Sequence, residues 1–158
     1  MFIKLISYVV FLNALVFYEL VNRIYAKNPE NYKLEYNLLK PCPKSPNCVF
    51  SLSKNPQNSI HPIRFNGSLI SAKEKLKKVI KKFSNAKFVI EAPLYWHIEF
   101  TSRWWEFIDD MQIIFDESES QIHLRSASRV GYWDLGVNRR RVEKIRLQFN
   151  KIITQKMN

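Results

Sequence analysis

Residues 107–129 read FIDDMQIIFDESESQIHLRSASR, and the alternation within them decides the fold. In an extended chain Met111, Ile113 and Phe115 fall on one side, and Asp110, Gln112 and Ile114 on the other. A polar stretch at Asp116–Ser120 follows. Ile122 and Leu124 then return to the apolar side, while His123, Arg125 and Arg129 take the polar side. Two such strands around a polar turn predict an antiparallel hairpin with one apolar face. Aligned through the turn, Phe115 opposes Ile122. Arg125 then opposes Gln112 and lies diagonal to Asp110.

Tyr95 to Thr101 alternates in the same way, with Trp96, Ile98 and Phe100 inward and Tyr95, His97 and Glu99 outward. Phe88 to Ala92 is rich in β-formers and is broken off by Pro93; Ser59 to Phe65 reads as an edge strand. From Ser68 the period becomes helical. Leu69, Ala72, Leu76, Val79 or Ile80, and Phe83 form a stripe, with Ser68 as N-cap and Ser71 with Glu74 as a competing capping box. The opposite side carries Lys73, Lys75, Lys77, Lys78, Lys81 and Lys82, either a solvated face or a surface for phospholipid headgroups. A last helix runs from Leu135 to Ile153, with Val142, Ile145, Phe149 and Ile152 as its stripe and Asp134 as N-cap candidate. The order predicts an α+β domain over residues 59–154: two layers, an antiparallel sheet with both helices packed on one face.

Ahead of that domain the character changes. Residues 27–58 hold Pro29, Pro41, Pro43, Pro46 and Pro56, five of the chain's seven prolines, and read as an extended segment. They also hold the only two cysteines, Cys42 and Cys48. An even count in an exported chain reads as a disulfide. A metal site lacks further thiolates and has only three histidines to draw on; a redox pair lacks the C-x-x-C spacing. Before this segment, Lys4 is followed by an apolar run from Leu5 to Phe17, interrupted at Asn13 and ended by Glu19. Residues 1–26 read as a signal peptide, with Ala26 at the cleavage site, or as an uncleaved membrane-anchoring helix. Either places the rest of the chain outside the cytoplasm.

The 158 residues suit one domain, and with 46% hydrophobic and 25% charged residues the composition is globular. Three glycines exclude the Gly-rich phosphate loops. A net charge of +11 predicts attraction to polyanions or anionic membranes. Arg103, Trp104 and Trp105 have the composition of a nucleic-acid contact, but export argues against such a partner. On the polar side of the sheet, His97, Glu99, Asp110, His123, Arg125 and Arg129 gather as candidates. His97, Glu99 and His123 match a two-histidine, one-carboxylate metal set in type, but their convergence does not follow from the pattern, and no metal or cofactor is assigned. Ser126 and Ser128 fall on the core side without a nucleophile elbow. Arg139, Arg140 and Arg141 open the last helix against its dipole, which calls for Asp109, Asp110 or a bound anion nearby.

Three stretches, LKPCPKSPNCVFS (39–51), HIEFTSRWWEFIDDMQIIFD (97–116) and IHLRSASRVGYWDLGVNRRRVEKIR (122–146), resemble the bacterial and plastid family catalogued as domain of unknown function 1499. Its motif positions fall on Cys42, Pro46, Asn47 and Cys48; on His97, Ser102, Asp109 and Asp110; on Arg125, Ser126, Ser128 and Arg129; and on Asp134, Gly136, Asn138 and Arg139. Phe50 and Trp133 depart from it, standing where small polar residues are expected. The resemblance implies a small exported or membrane-attached domain without an established activity.

The resulting expectation is a non-enzymatic envelope module that binds an anionic group, such as an anionic lipid, through Arg125, Arg129 and Arg139 with Asn138. The alternatives are a hydrolase-like enzyme using His97 with Asp109 or Asp110, and a structural protein in which arginines and carboxylates only join sheet to helix. A reporter fused after residue 26 is expected to be active only on the outer side of the inner membrane. A cytosolic pool of full-length soluble protein would refute export.

Overall fold

A computed structural model describes residues 39–102 and 106–154. The expected N-terminal hydrophobic helix, and Arg103, Trp104 and Trp105, lie outside the described residues. The elements run β1 (Cys48–Phe50), β2 (Ile63–Arg64), α1 (Leu69–Ile80), β3 (Ala86–Glu91), β4 (Tyr95–Thr101), β5 (Ile108–Asp116), β6 (Gln121–Ser128) and α2 (Val137–Thr154). The fold is α+β, with a six-stranded antiparallel sheet in the order β1-β6-β5-β4-β3; β2 also pairs with β6. The hairpin register is the one the polar turn predicts: Phe115 opposes Ile122, and Gln112 opposes Arg125.

The sheet extends into the segment that reads as a proline-rich linker. Cys48, Val49 and Phe50 pair with Ala127, Ser126 and Arg125, so residues 48–50 are a strand of the domain rather than a tether. The disulfide Cys42–Cys48 closes the loop immediately before them. A three-residue strand between prolines has too little sequence to show a period; β6 supplies the open edge that makes it one.

The core joins Trp96, Ile98 and Phe100 of β4, Met111, Ile113 and Phe115 of β5, and Ile122 and Leu124 of β6 to the apolar stripes of both helices. Trp96 packs edge-on against Phe88 and Phe115, with centroids 5.6 and 4.7 Å apart. Ser68 wins the N-cap of α1, accepting from the Ser71 amide. The lysine side of α1 is not uniformly solvated. The Lys73 ammonium lies over Trp96 and Phe115 and donates to the Pro93 carbonyl at 2.6 Å; burial lowers its pKa.

The last helix begins at Val137, two residues later than the sequence predicts. Leu135 and Gly136 both have positive φ, 55° and 76°, which no helical residue adopts. Asp134 still caps it, accepting from the amides of Gly136 and Asn138 at 2.8 Å each. Among the described residues no helix is long and apolar enough to cross a membrane.

Alkylation of Cys42 and Cys48 is expected to require reductant, with the intact mass rising by two hydrogens on reduction. Removing this short cross-link is expected to cost about 2 kcal/mol in chemical denaturation. Labelling of both thiols in native, unreduced protein would contradict the bond.

Candidate functional site

Strict alternation along β5 sends Asp109 to the helix side of the sheet and Asp110 to the other, so two polar assemblies form, one on each face. On the helix side, Ser126 and Ser128 end the apolar stripe of β6 and need polar partners in the core. Asn138, fully buried in the first turn of α2, supplies them. Its Oδ1 accepts from Ser126 Oγ at 2.5 Å and from Arg141 Nη1 at 2.7 Å. Its Nδ2 donates to Ser128 Oγ (3.1 Å), Asp134 Oδ2 (2.9 Å) and the Asn47 carbonyl (3.2 Å). Asn47 in turn donates to the Gly131 carbonyl at 2.6 Å. One turn along α2, Arg141 Nη2 donates to Asp109 Oδ2 at 2.5 Å, and its guanidinium stacks 4.6 Å from the Phe100 ring centre. Both members of that ion pair are nearly buried, with side chains 9% and 12% exposed.

The outer face holds the second assembly. His97 Nε2 donates to Asp110 Oδ1 at 2.6 Å. Arg129 clamps both oxygens of Asp110 at 2.8 Å and also donates to Glu99. Burial on its own would raise the Asp110 pKa, but the hydrogen bonds from Arg129 and His97 outweigh it and hold the carboxyl below its usual range. Asp110 and Glu99 in turn raise the Arg129 pKa. One row along, Tyr95 Oη accepts from Gln112 Nε2 at 3.0 Å, and Gln112 Oε1 accepts from Arg125 Nη1 at 3.3 Å. Arg125 Nε is buried, and no acceptor meets it among the described residues. Burial raises the Tyr95 pKa and lowers that of Arg125.

The arginines expected to converge do not. Arg129 belongs to Asp110 and Glu99. Arg125 lies in the neighbouring row. Arg139 donates to the carbonyls of Ser59 and Gln57, at 2.9 and 2.7 Å, and pins that loop to α2. Asn138 is inside the core. Asp109 and Asp110 face opposite sides, so only Asp110 reaches His97. His123, expected to face solvent, is 6% exposed, with Nδ1 3.3 Å from Ser51 Oγ; burial lowers its pKa. It therefore does not join His97 and Glu99, and among the described residues no group of three His, Cys, Asp or Glu side chains converges for a metal.

The family described as "Protein of unknown function (DUF1499)" matches residues 38–149. The chain belongs to this family. No curated protein matches it. Every residue of both assemblies falls within the DUF1499 match, from Asn47 to Arg141.

In the sequence Arg141 stands in one basic run with Arg139 and Arg140. The signal that distinguishes it is its place three residues after Asn138, on one helix face, together with two serines at core positions of β6. Breaking the buried pair with Arg141→Met or Asp109→Asn is expected to cost about 3–5 kcal/mol each, because an uncompensated charge is left behind. The double variant is expected to lose much less than the sum. Additive losses in a denaturation cycle would mean that the pair is not coupled.

Proposed function

We propose that this DUF1499 protein is a non-enzymatic module of the cell envelope, attached to or exported across the membrane by its N-terminal apolar segment, that binds an anionic group on the outer face of the sheet. The observation that carries the reading is Arg125. Its guanidinium is partly buried and held on one side by Gln112, and its Nε lacks an acceptor among the described residues. A buried donor without a partner is costly unless a ligand completes it. Tyr95, whose hydroxyl accepts from Gln112, flanks the same row of the face and offers its own hydrogen as a further donor. The +11 net charge favours an anionic partner, and the disulfide suits an oxidising compartment. Arg129, Arg139 and Asn138 leave the binding set: Arg129 is committed to Asp110 and Glu99, Arg139 to the Ser59 and Gln57 carbonyls, and Asn138 is buried in the core.

One contact favours a second reading, a hydrolase-like enzyme: Asp110 orients His97 as a base would require. Among the described residues no serine is bonded to His97: Ser126 and Ser128 point into the helix side, and Ser51, over the outer face, meets His123 and the Leu124 amide instead. His97 would have to activate water.

Calorimetry with inorganic phosphate and sulfate separates these roles. Arg125→Gln is expected to weaken anion binding at least tenfold. Arg129→Gln is expected to lower the melting temperature equally with and without the anion. Unchanged binding in Arg125→Gln would remove the proposed site.

A further inference from the structure

The loop between β6 and α2 places large apolar side chains in water at almost every second position. Tyr132 is 74% exposed, Trp133 67%, Leu135 63% and Val130 57%. Three of the loop's polar groups are bonded within the domain. The Asp134 carboxylate accepts from the amides of Gly136 and Asn138; the Gly131 carbonyl accepts from Asn47; and the Leu135 carbonyl accepts from Arg140 Nη1 at 2.7 Å. Gly131, Leu135 and Gly136 hold positive φ. In Leu135 that conformation works against the side chain, yet it keeps the isobutyl group outside.

We propose that this loop is a lipid-contact element, seating its apolar tips in the interfacial layer of an anionic bilayer. An unpaired backbone group is costly in a low-dielectric layer, and the bonds to the Gly131 and Leu135 carbonyls satisfy two of the loop's. Tyr and Trp side by side suit the boundary between headgroups and acyl chains, where an apolar ring carries a polar edge. Arg140 is exposed and fixed to the loop's own carbonyl, and Lys44 is exposed in the disulfide loop whose Asn47 holds Gly131. Both are placed for headgroup phosphates. Four side chains on one turn fall far short of the twenty or so residues that a stable protein interface takes from each side, about 800 Å². A bilayer sets no such minimum. The proposal draws on the membrane attachment proposed above, but it makes a separate claim about this loop.

The test uses the full-length protein carrying Trp133→Cys, labelled with an environment-sensitive fluorophore without reductant, with Tyr132→Cys as a second site. Leu147→Cys, on an exposed position of α2, is the reference. Each is floated with phosphatidylcholine–phosphatidylglycerol vesicles containing doxyl-lipid quenchers. The expected result is flotation of all three, with quenching at 132 and 133 at least threefold that at 147. Flotation with equal quenching at all three sites would overturn the loop contact and leave the N-terminal attachment standing. Failure to float would overturn both. Shielding of the 133 label that depends on protein concentration in the absence of vesicles would assign the loop to a second copy instead, and the lipid proposal would fall.

Discussion

A single buried carboxamide holds this domain in register. Asn138 has its two donor hydrogens and its acceptor oxygen engaged at once, by the β6 hydroxyls, the Asp134 cap, the Asn47 main chain and Arg141. The start of α2, the end of β6 and the disulfide loop therefore meet at one side chain. In a low-dielectric interior each of these bonds strengthens the others, and a partly satisfied version would be worse than an apolar core. The network fixes which turn of α2 lies over β6, and through Arg141 it fixes the helix against Asp109 and Phe100. Hydrophobic packing alone would tolerate a slide along the stripe.

The adjacent carboxylates Asp109 and Asp110 separate two tasks across the thickness of the sheet. Each takes an arginine from a different place in the chain, Arg141 from the helix and Arg129 from just beyond β6. The inner pair is shut away and ties helix to strand. The outer pair is half-open and sits beside His97. Arg125, next to it, is a cation whose bonding capacity the described fold leaves incomplete.

Much of this was legible in the residues. Period-two patterning around Asp116–Ser120 set the hairpin and its pairing, and the stripe from Leu69 to Phe83 set the first helix, because both depend on neighbours close in sequence. The burial of His123 was not legible: it rests on Ser51, 72 residues away, folding over the outer face. Nor was the late start of α2, since nothing in the letters marks Leu135 for a left-handed backbone. The division between Asp109 and Asp110 was legible from the same alternation, yet the expected arginine cluster overlooked it. Convergence of Arg125, Arg129 and Arg139 was inferred from nearness along the chain, while their partners, Gln112, Glu99 and the Ser59 carbonyl, come from other elements.

The pairing of β1 with β6 also constrains the order of assembly. Cys48 lies against Ala127, so the first strand of the sheet in sequence waits for the last. A chain emerging from its N-terminus, at a ribosome or a translocation pore, exposes Val49 and Phe50 long before β6 exists to receive them. The β3–β4–β5–β6 meander links neighbours through short turns and is entropically easy to close, whereas seating β1 closes a far longer loop. The meander is therefore the natural scaffold, and the disulfide-closed strand is the piece added to its edge at the end. Until then, β6 carries an open row of amides and carbonyls beside the two serines that Asn138 will bind. This interval leaves a newly made chain most vulnerable to pairing with a neighbour.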